Sequence, residues 1–315
     1  MEQFDTIIIG AGAAGLAAAI YTARKKLSTL VLSASAGGQA NMIAHIENYP
    51  GVPASTGPDL INNFLGQAQT FGADIRFETV SAIEETEKGG KKFKVKTDSA
   101  EYEGKSLILA FGKTPIKLNI PGEKEFTGKG VTYCATCDAP LYKNKKVAVF
   151  GSGAHAIEAA LLLSRVGASE VNLVFKGDKI AGEAESLAKL AADKKIKQIA
   201  NSWAMEIKGE TVVREVILEN QKTKQKSSLQ INGIFVEAGA VTDTKLAQHL
   251  VKVDKQGQII VDINTKTSHL GIFAAGDVTQ LPYKQLVISA GEGAKAGLEA
   301  YKHVTGSAAI IDWKH

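Results

Sequence analysis

The sequence predicts an α/β protein with two dinucleotide-binding units and a cysteine pair between them. Three observations carry this. A short, largely apolar run, Thr6-Ile7-Ile8-Ile9, leads directly into Gly10-Ala11-Gly12-Ala13-Ala14-Gly15. A second run, Val147-Ala148-Val149-Phe150, leads into Gly151-Ser152-Gly153-Ala154-His155-Ala156. The only two cysteines, Cys134 and Cys137, stand at C-x-x-C spacing shortly before that second glycine turn.

A continuous apolar run reads as a buried parallel strand. The first glycine turn opens an Ala-rich helix to about Lys26, and Thr29-Leu30-Val31-Leu32 closes the unit. Strand, glycine turn, helix and strand at this length form the context in which G-x-G-x-x-G becomes specific. Gly10 allows the tight turn, Gly12 lets a pyrophosphate approach the backbone, and Gly15 lets the helix pack on the strand. The second strand ends in Ser33, so no acid is in place for a ribose.

Gly37-Gly38-Gln39 and Glu47-Asn48-Tyr49-Pro50-Gly51 read as loops, continued by Pro53 and Gly57-Pro58. Asp59 is the expected N-cap of a helix from Leu60 to about Phe71. Ile75 to Tyr102 is largely strand-like, with a charged hairpin turn over Glu87 to Lys92. Ser106-Leu107-Ile108-Leu109-Ala110 is another buried strand, and Thr114-Pro115 and Pro121-Gly122 mark a crossing between domains.

The second glycine turn opens a helix to about Val166, returned by the strand Glu170-Val171-Asn172-Leu173-Val174. Two such units around a redox-capable cysteine pair point to two nucleotides with electron traffic between them. Vicinal thiols close a small reversible disulfide, although two structural cysteines fit the spacing as well. No second C-x-x-C or C-x-x-H completes a zinc site, so no metal is expected. His155 reads as a first-turn residue rather than a base.

Beyond this unit, Glu183 to Ala192 reads as helix, and Ile199–Glu206, Thr211–Leu218 and Ile231–Ala238 as strands. Val236-Glu237-Ala238-Gly239 marks the second crossing. A strand over Leu270 to Ala275 ends in Gly276-Asp277, where the carboxylate could accept from a ribityl or ribose hydroxyl or simply cap a turn. Glu292 to His303 is the last helix, and the tail Ile310-Ile311-Asp312-Trp313 is too short to be an element.

Net charge is +4, carried mostly by lysines spread along the chain, which fits solvated faces better than a nucleic-acid groove. The first residues carry no basic start followed by an apolar stretch, and no apolar run reaches the roughly 18 residues of a membrane span. A cytoplasmic location is therefore expected, without nucleic-acid or membrane partners; there a disulfide is more often catalytic than structural.

These residues resemble the low-molecular-weight thioredoxin reductases, flavoproteins of the two-dinucleotide-domain disulfide reductase class. The matching pieces are Gly10 to Gly15, Gly37-Gly38-Gln39, Glu47 to Gly51, Cys134-Ala135-Thr136-Cys137-Asp138, Gly151 to Ala156 with Glu158, and Gly276-Asp277 with Gln285. They occur in the family's order from one end to the other. The resemblance implies two Rossmann-like three-layer domains, the second inserted into the first. An FAD domain would comprise residues 1–114 and 244–315, and a nicotinamide-type domain over 115–243 would carry the cysteines. Gly10, Gly12, Ala13, Gly15, Gly38, Gln39, Asn48, Asp277, Gln285 and Leu286 would line the FAD. Gly151, Gly153, Ala156 and Lys176 would meet a nicotinamide nucleotide, NADPH or NADH. Cys137 would face the flavin, Cys134 would attack the disulfide of thioredoxin or a similar protein, and Asp138 would give and take the proton. A homodimer alternating between two domain orientations is implied as well.

The chain departs from the family pattern in three places. Phe175-Lys176-Gly177-Asp178-Lys179 replaces the His-Arg-Arg run of NADPH users, Phe111 replaces a threonine, and Lys284 replaces an arginine. Lysine does not reproduce a guanidinium fork on a 2′-phosphate. Relatives without nicotinamide use take electrons from ferredoxin or a reduced deazaflavin, which makes ferredoxin an alternative donor. A peroxiredoxin-type partner is a further alternative, although that branch usually carries an N-terminal disulfide module and the first strand here begins at Thr6. A redox sensor that does not turn over is the reading from outside the enzymes.

Overall fold

The computed structural model describes residues 1–43, 45–52 and 54–307. Pro53 and the Ile310 to Trp313 tail lie outside the described residues. Two compact units emerge: Met1–Asn41 with Tyr49–Thr114 and the chain from Val241 onward, and Met42–Asn48 with Pro115–Ala240. Met42–Asn48, expected with the first domain, thus groups with the cysteine-bearing unit.

In the first unit, β1 (Glu2–Ala11), α1 (Ala13–Arg24) and β2 (Thr29–Ala36) form the leading strand–helix–strand. α2 (Gly57–Thr70) is followed by β3 (Asp74–Arg76), β4 (Val80–Glu87), β5 (Lys92–Thr97) and β6 (Glu101–Leu109). The sheet runs β3-β2-β1-β6-β5-β4, parallel from β3 to β6 and antiparallel over the hairpin. Ile7, Leu30 and Leu107 pack on one face of the sheet and Ile8, Val31 and Ile108 on the other, so these strands are apolar throughout rather than alternating. The cap of α2 is Thr56 and not Asp59. Thr56 Oγ1 accepts the Asp59 N–H at 3.2 Å, while Asp59 Oδ2 accepts from Thr56 Oγ1 at 2.6 Å. The helix therefore starts earlier than expected, with Pro58 in its first turn.

In the second unit, β7 (Thr114–Pro115) crosses from the first, and α3 (Glu123–Phe126), β8 (Val131–Thr132) and α4 (Ala135–Asp138) precede β9 (Lys146–Phe150). α5 (Ala154–Arg165), β10 (Glu170–Val174), α6 (Ala184–Ala192) and β11 (Ile196–Ile199) follow. Next come β12 (Ser202–Gly209), β13 (Val213–Asn220), β14 (Lys226–Gln230), β15 (Gly233–Val236) and β16 (Ala240–Val241), which pairs with β7 at the crossing. A parallel sheet β11-β10-β9-β15-β8 lies beside an antiparallel sheet β12-β13-β14. β14 was not expected. Its Lys-Ser-Ser-Leu-Gln sequence is an exposed edge with no apolar periodicity to reveal it.

The first unit closes with β17 (Ile272–Ala274), paired to β6, and α7 (Leu286–Thr305). α7 begins six residues before the expected Glu292, because Gly291 and Gly293 disguise the helix. A Cβ on Gly293 would lie 2.0 Å from the Ala14 carbonyl oxygen. The glycine is thus what brings α7 against α1.

Candidate functional site

The first glycine turn is built by close approach. Gly10 has φ +110°, and a Cβ there would meet the Ala110 carbonyl oxygen at 2.4 Å. A Cβ on Gly15 would stand 1.8 Å from the Gly10 oxygen, so only glycine lets α1 leave β1 at this angle. Gly12 has only the Gly37 oxygen, at 3.9 Å, before it. Over this turn lies a cavity of about 640 Å³ lined by Gly10, Gly12, Ala13, Gly38, Gln39, Asp277 and Leu286, together with Ser33 to Ser35, Thr79 to Ser81 and Phe111. Gly15 sits beneath the turn, Gln285 is the N-cap residue of α7, and Asn48 belongs to the segment grouped with the other unit.

Asp277 is held in place. Its Oδ2 accepts from Gln39 Nε2 at 2.9 Å and its Oδ1 from Ser289 Oγ at 3.4 Å. The Gly276 N–H donates to Glu292 Oε2 at 2.7 Å, and burial raises the Glu292 carboxyl above its ordinary range. Lys284, one of the departures from the family pattern, donates to the Thr279 carbonyl at 2.8 Å, and burial lowers its pKa. The open backbone of the turn, the fixed carboxylate and the cavity fit a dinucleotide such as FAD.

In the second unit, Cys134 and Cys137 are joined by a disulfide with their Cα atoms 5.3 Å apart. α4 is the turn between them. Cys134 Sγ accepts the Cys137 N–H at 3.3 Å, and the Cys134 N–H donates to Thr132 Oγ1 at 3.2 Å. Asp138 is 5% exposed, and its Oδ1 is buried with no hydrogen-bond partner among the described residues. Burial raises the Asp138 carboxyl, opposed by the Thr132 hydroxyl. Among the described residues no His, Cys, Asp and Glu cluster could hold a metal.

The second glycine turn has the same construction. A Cβ on Gly151 would meet the Glu237 carbonyl oxygen at 2.2 Å, whereas Gly153 is open and Ala156 is fully buried in the first turn of α5. His155 is exposed at the start of α5. The loop after β10 does not fit a 2′-phosphate. Lys176 Nζ lies 4.6 Å from the centre of the Trp203 ring. Asp178 accepts from Asn201 Nδ2 at 2.9 Å and pairs with Lys222, which holds its carboxyl below the usual range. The loop thus presents a carboxylate and no guanidinium, while its Lys176 rests on an indole.

Two residues of this region escaped the sequence reading. Trp203 is distant in sequence from every motif. Glu237 was seen only as part of a crossing, although an acid directly after the apolar run of β15 was the available signal. Its Oε1 accepts the Ala135 N–H at 3.2 Å. Burial pushes its carboxyl up to about 7, with the nearby Glu158 adding to the effect.

Two glycine turns at the ends of parallel strands in separate sheets, with a C-x-x-C disulfide leading into the second, define a disulfide oxidoreductase of the two-dinucleotide-domain class. Residues 4–296 match the Pyridine nucleotide-disulphide oxidoreductase family, and the chain belongs to it. Membership implies FAD and a nicotinamide cofactor. The chain is 37% identical to a thioredoxin reductase of Peptoclostridium acidaminophilum, over 96% of this chain and 97% of that one. It is also 37% identical to a Pseudomonas aeruginosa alkyl hydroperoxide reductase subunit, over 96% of this chain but only 58% of the relative's length. The crystal structure of thioredoxin reductase from Streptococcus pyogenes is 34% identical with a TM-score of 0.91, covering 97% of this chain and 99% of that one.

Proposed function

We propose that this chain is an FAD-dependent thioredoxin reductase, which uses Cys134 and Cys137 to reduce the disulfide of thioredoxin or a thioredoxin-like protein. One observation carries the reading: a disulfide closed across a four-residue turn with the buried carboxyl of Asp138 directly after it. Gly10, Gly12, Ala13, Gly38, Gln39, Asp277 and Leu286 would line a bound FAD, with Gly15 and Gln285 shaping the turn and the start of α7, and that group would supply electrons in pairs. Cys134 thiolate attacks the partner disulfide, and Asp138 gives its proton to the first departing partner sulfur. Cys137 then attacks Cys134 Sγ, which releases the second partner sulfur and restores the Cys134–Cys137 disulfide. The raised pKa of Asp138 supports this role, since a carboxyl must be protonated to donate.

The loop after β10 favours a second reading of the electron source. Gly151, Gly153, Ala156 and Lys176 remain candidates for a nicotinamide nucleotide, but with Lys176 and Gly177 in place of two arginines the donor is NADH or ferredoxin rather than NADPH. A peroxiredoxin-type partner is the alternative favoured by the similarity to the alkyl hydroperoxide reductase subunit. The protein works in the cytoplasm as a homodimer. No helix among the described residues is long and apolar enough to cross a membrane.

Anaerobic titration with NADPH, NADH and reduced ferredoxin, followed by turnover with oxidised thioredoxin, tests both parts. The purified protein is expected to be yellow, to bleach with NADH or ferredoxin more readily than with NADPH, and to reduce thioredoxin. Cys137→Ser is expected to abolish that turnover. A colourless protein, or thioredoxin turnover that survives Cys137→Ser, would overturn the reading.

A further inference from the structure

We infer that Glu237 is a positioning residue of the dithiol centre, and that its carboxyl takes up a proton when the Cys134–Cys137 disulfide is reduced. Its backbone is fixed at both ends. The Glu237 N–H donates to the Phe150 carbonyl at 2.8 Å, and its own carbonyl closes over Gly151. The side chain turns to α4, where Oε1 accepts the N–H of Ala135, the residue directly after Cys134. The amides of this short turn are thus divided: the Cys137 N–H points at sulfur, the Ala135 N–H at the carboxyl.

Burial and a like charge disfavour the ionised form of Glu237, opposed only by the hydrogen bond from the Ala135 N–H. From α5 the acting charge is Glu158, of like sign; α4 contributes the Ala135 N–H, and β9 only a carbonyl to the backbone. No cation is among the groups that act on it. Burial and Glu158 together bring its titration to about 7, within reach of cellular pH.

Reduction changes the charge one residue away. A dithiol reductant passes two electrons to the pair: the S–S bond breaks, the reductant closes its own disulfide, and its two protons remain to be shared. With one sulfur left as thiolate, a second negative charge stands on the turn whose Ala135 N–H Glu237 accepts, and a proton goes to the Glu237 carboxylate instead of to solvent. The inference rests on the redox role of the cysteine pair and not on any partner. It is tested with a small dithiol, so that its failure and the failure of the thioredoxin reading remain distinct.

The test uses Glu237→Gln, which keeps an acceptor for the Ala135 N–H and removes the titration. The equilibrium constant for reduction by dithiothreitol is measured on the full chain from pH 5.5 to 8.5 by counting trapped thiols on its only two cysteines. The variant-to-wild-type ratio is expected near one at pH 5.5, rising to at least about threefold at pH 8 as the wild-type carboxyl ionises. The same rise is expected in an Asp138→Asn background, which separates the two acids. A ratio constant with pH, even if displaced from one, assigns Glu237 a merely structural role and overturns the proposal. Should the variant not fold, infrared difference spectra of the wild type with carbon-13 glutamate decide the point. A protonated glutamic carbonyl band must appear on reduction at pH 7.5, and its absence overturns the proposal.

Discussion

The two glycine turns share one construction with different surroundings. In the first, Gly10 lies under the carbonyl of Ala110 at the end of β6; in the second, Gly151 lies under the carbonyl of Glu237 at the end of β15. The first unit places a methyl group where the second places an acid. The first turn opens on a built cavity with Asp277 fixed by Gln39 and Ser289. The second borders the dithiol turn through Glu237, and in its outlying loop the Asp178 carboxylate is tied to Asn201 and Lys222. The two units thus share the close glycine approach to a neighbouring strand's carbonyl and differ in the side chains at its rim.

Substituting the glycines should break the comparison most sharply. Gly15→Val puts a side chain where even a Cβ is 1.8 Å from the Gly10 oxygen, so flavin content is expected to fall by at least about tenfold, read from visible absorbance. Gly153→Ala meets no atom within 4 Å and should leave both fold and colour intact.

The pH dependence of stability should separate the acid from the methyl. Glu237 has its carboxyl raised from 4.5 to about 7 in the folded chain, so the native state holds a proton that the unfolded state has lost. Its contribution is full below about pH 4.5 and is lost as pH rises through about 7. The loss should be about 3 kcal/mol in denaturant titrations, and Glu237→Gln should flatten it. Ala110→Gly at the corresponding place should leave the pH profile unchanged.

The smallest effect concerns the loop after β10. Replacing Lys176 and Gly177 together by arginine builds a fork for a 2′-phosphate and should tighten NADP⁺ about tenfold in calorimetry. An unchanged affinity would show that the 2′-phosphate lies elsewhere.

Much of the architecture was legible because the strands beside each glycine turn are apolar on both faces. Ile7 to Ile9 and Val147 to Phe150 are buried on either side, and no other element suits such runs at that length. β14 was invisible for the opposite reason, since an exposed polar edge carries no pattern. At the site, Cys134, Cys137 and Asp138 were legible from spacing and resemblance. Glu237 and Trp203 were not, because each acquires its meaning only from a contact distant in sequence: Ala135 is 102 residues from Glu237, and Lys176 meets the indole across a separate strand. The Thr56 cap lay three residues from the expected one because threonine and aspartate satisfy each other there and either could head the helix.

Trp203 gives the chain a reporter of its own. It packs edge-on against Phe150, directly before the second glycine turn, and supports the Lys176 ammonium on its face. The other tryptophan, Trp313, lies outside the described residues. Any nucleotide phosphate that draws Lys176 away would expose the indole and alter its emission. Arrival at this loop can therefore be followed by ultraviolet fluorescence in unlabelled protein, independently of the flavin's colour.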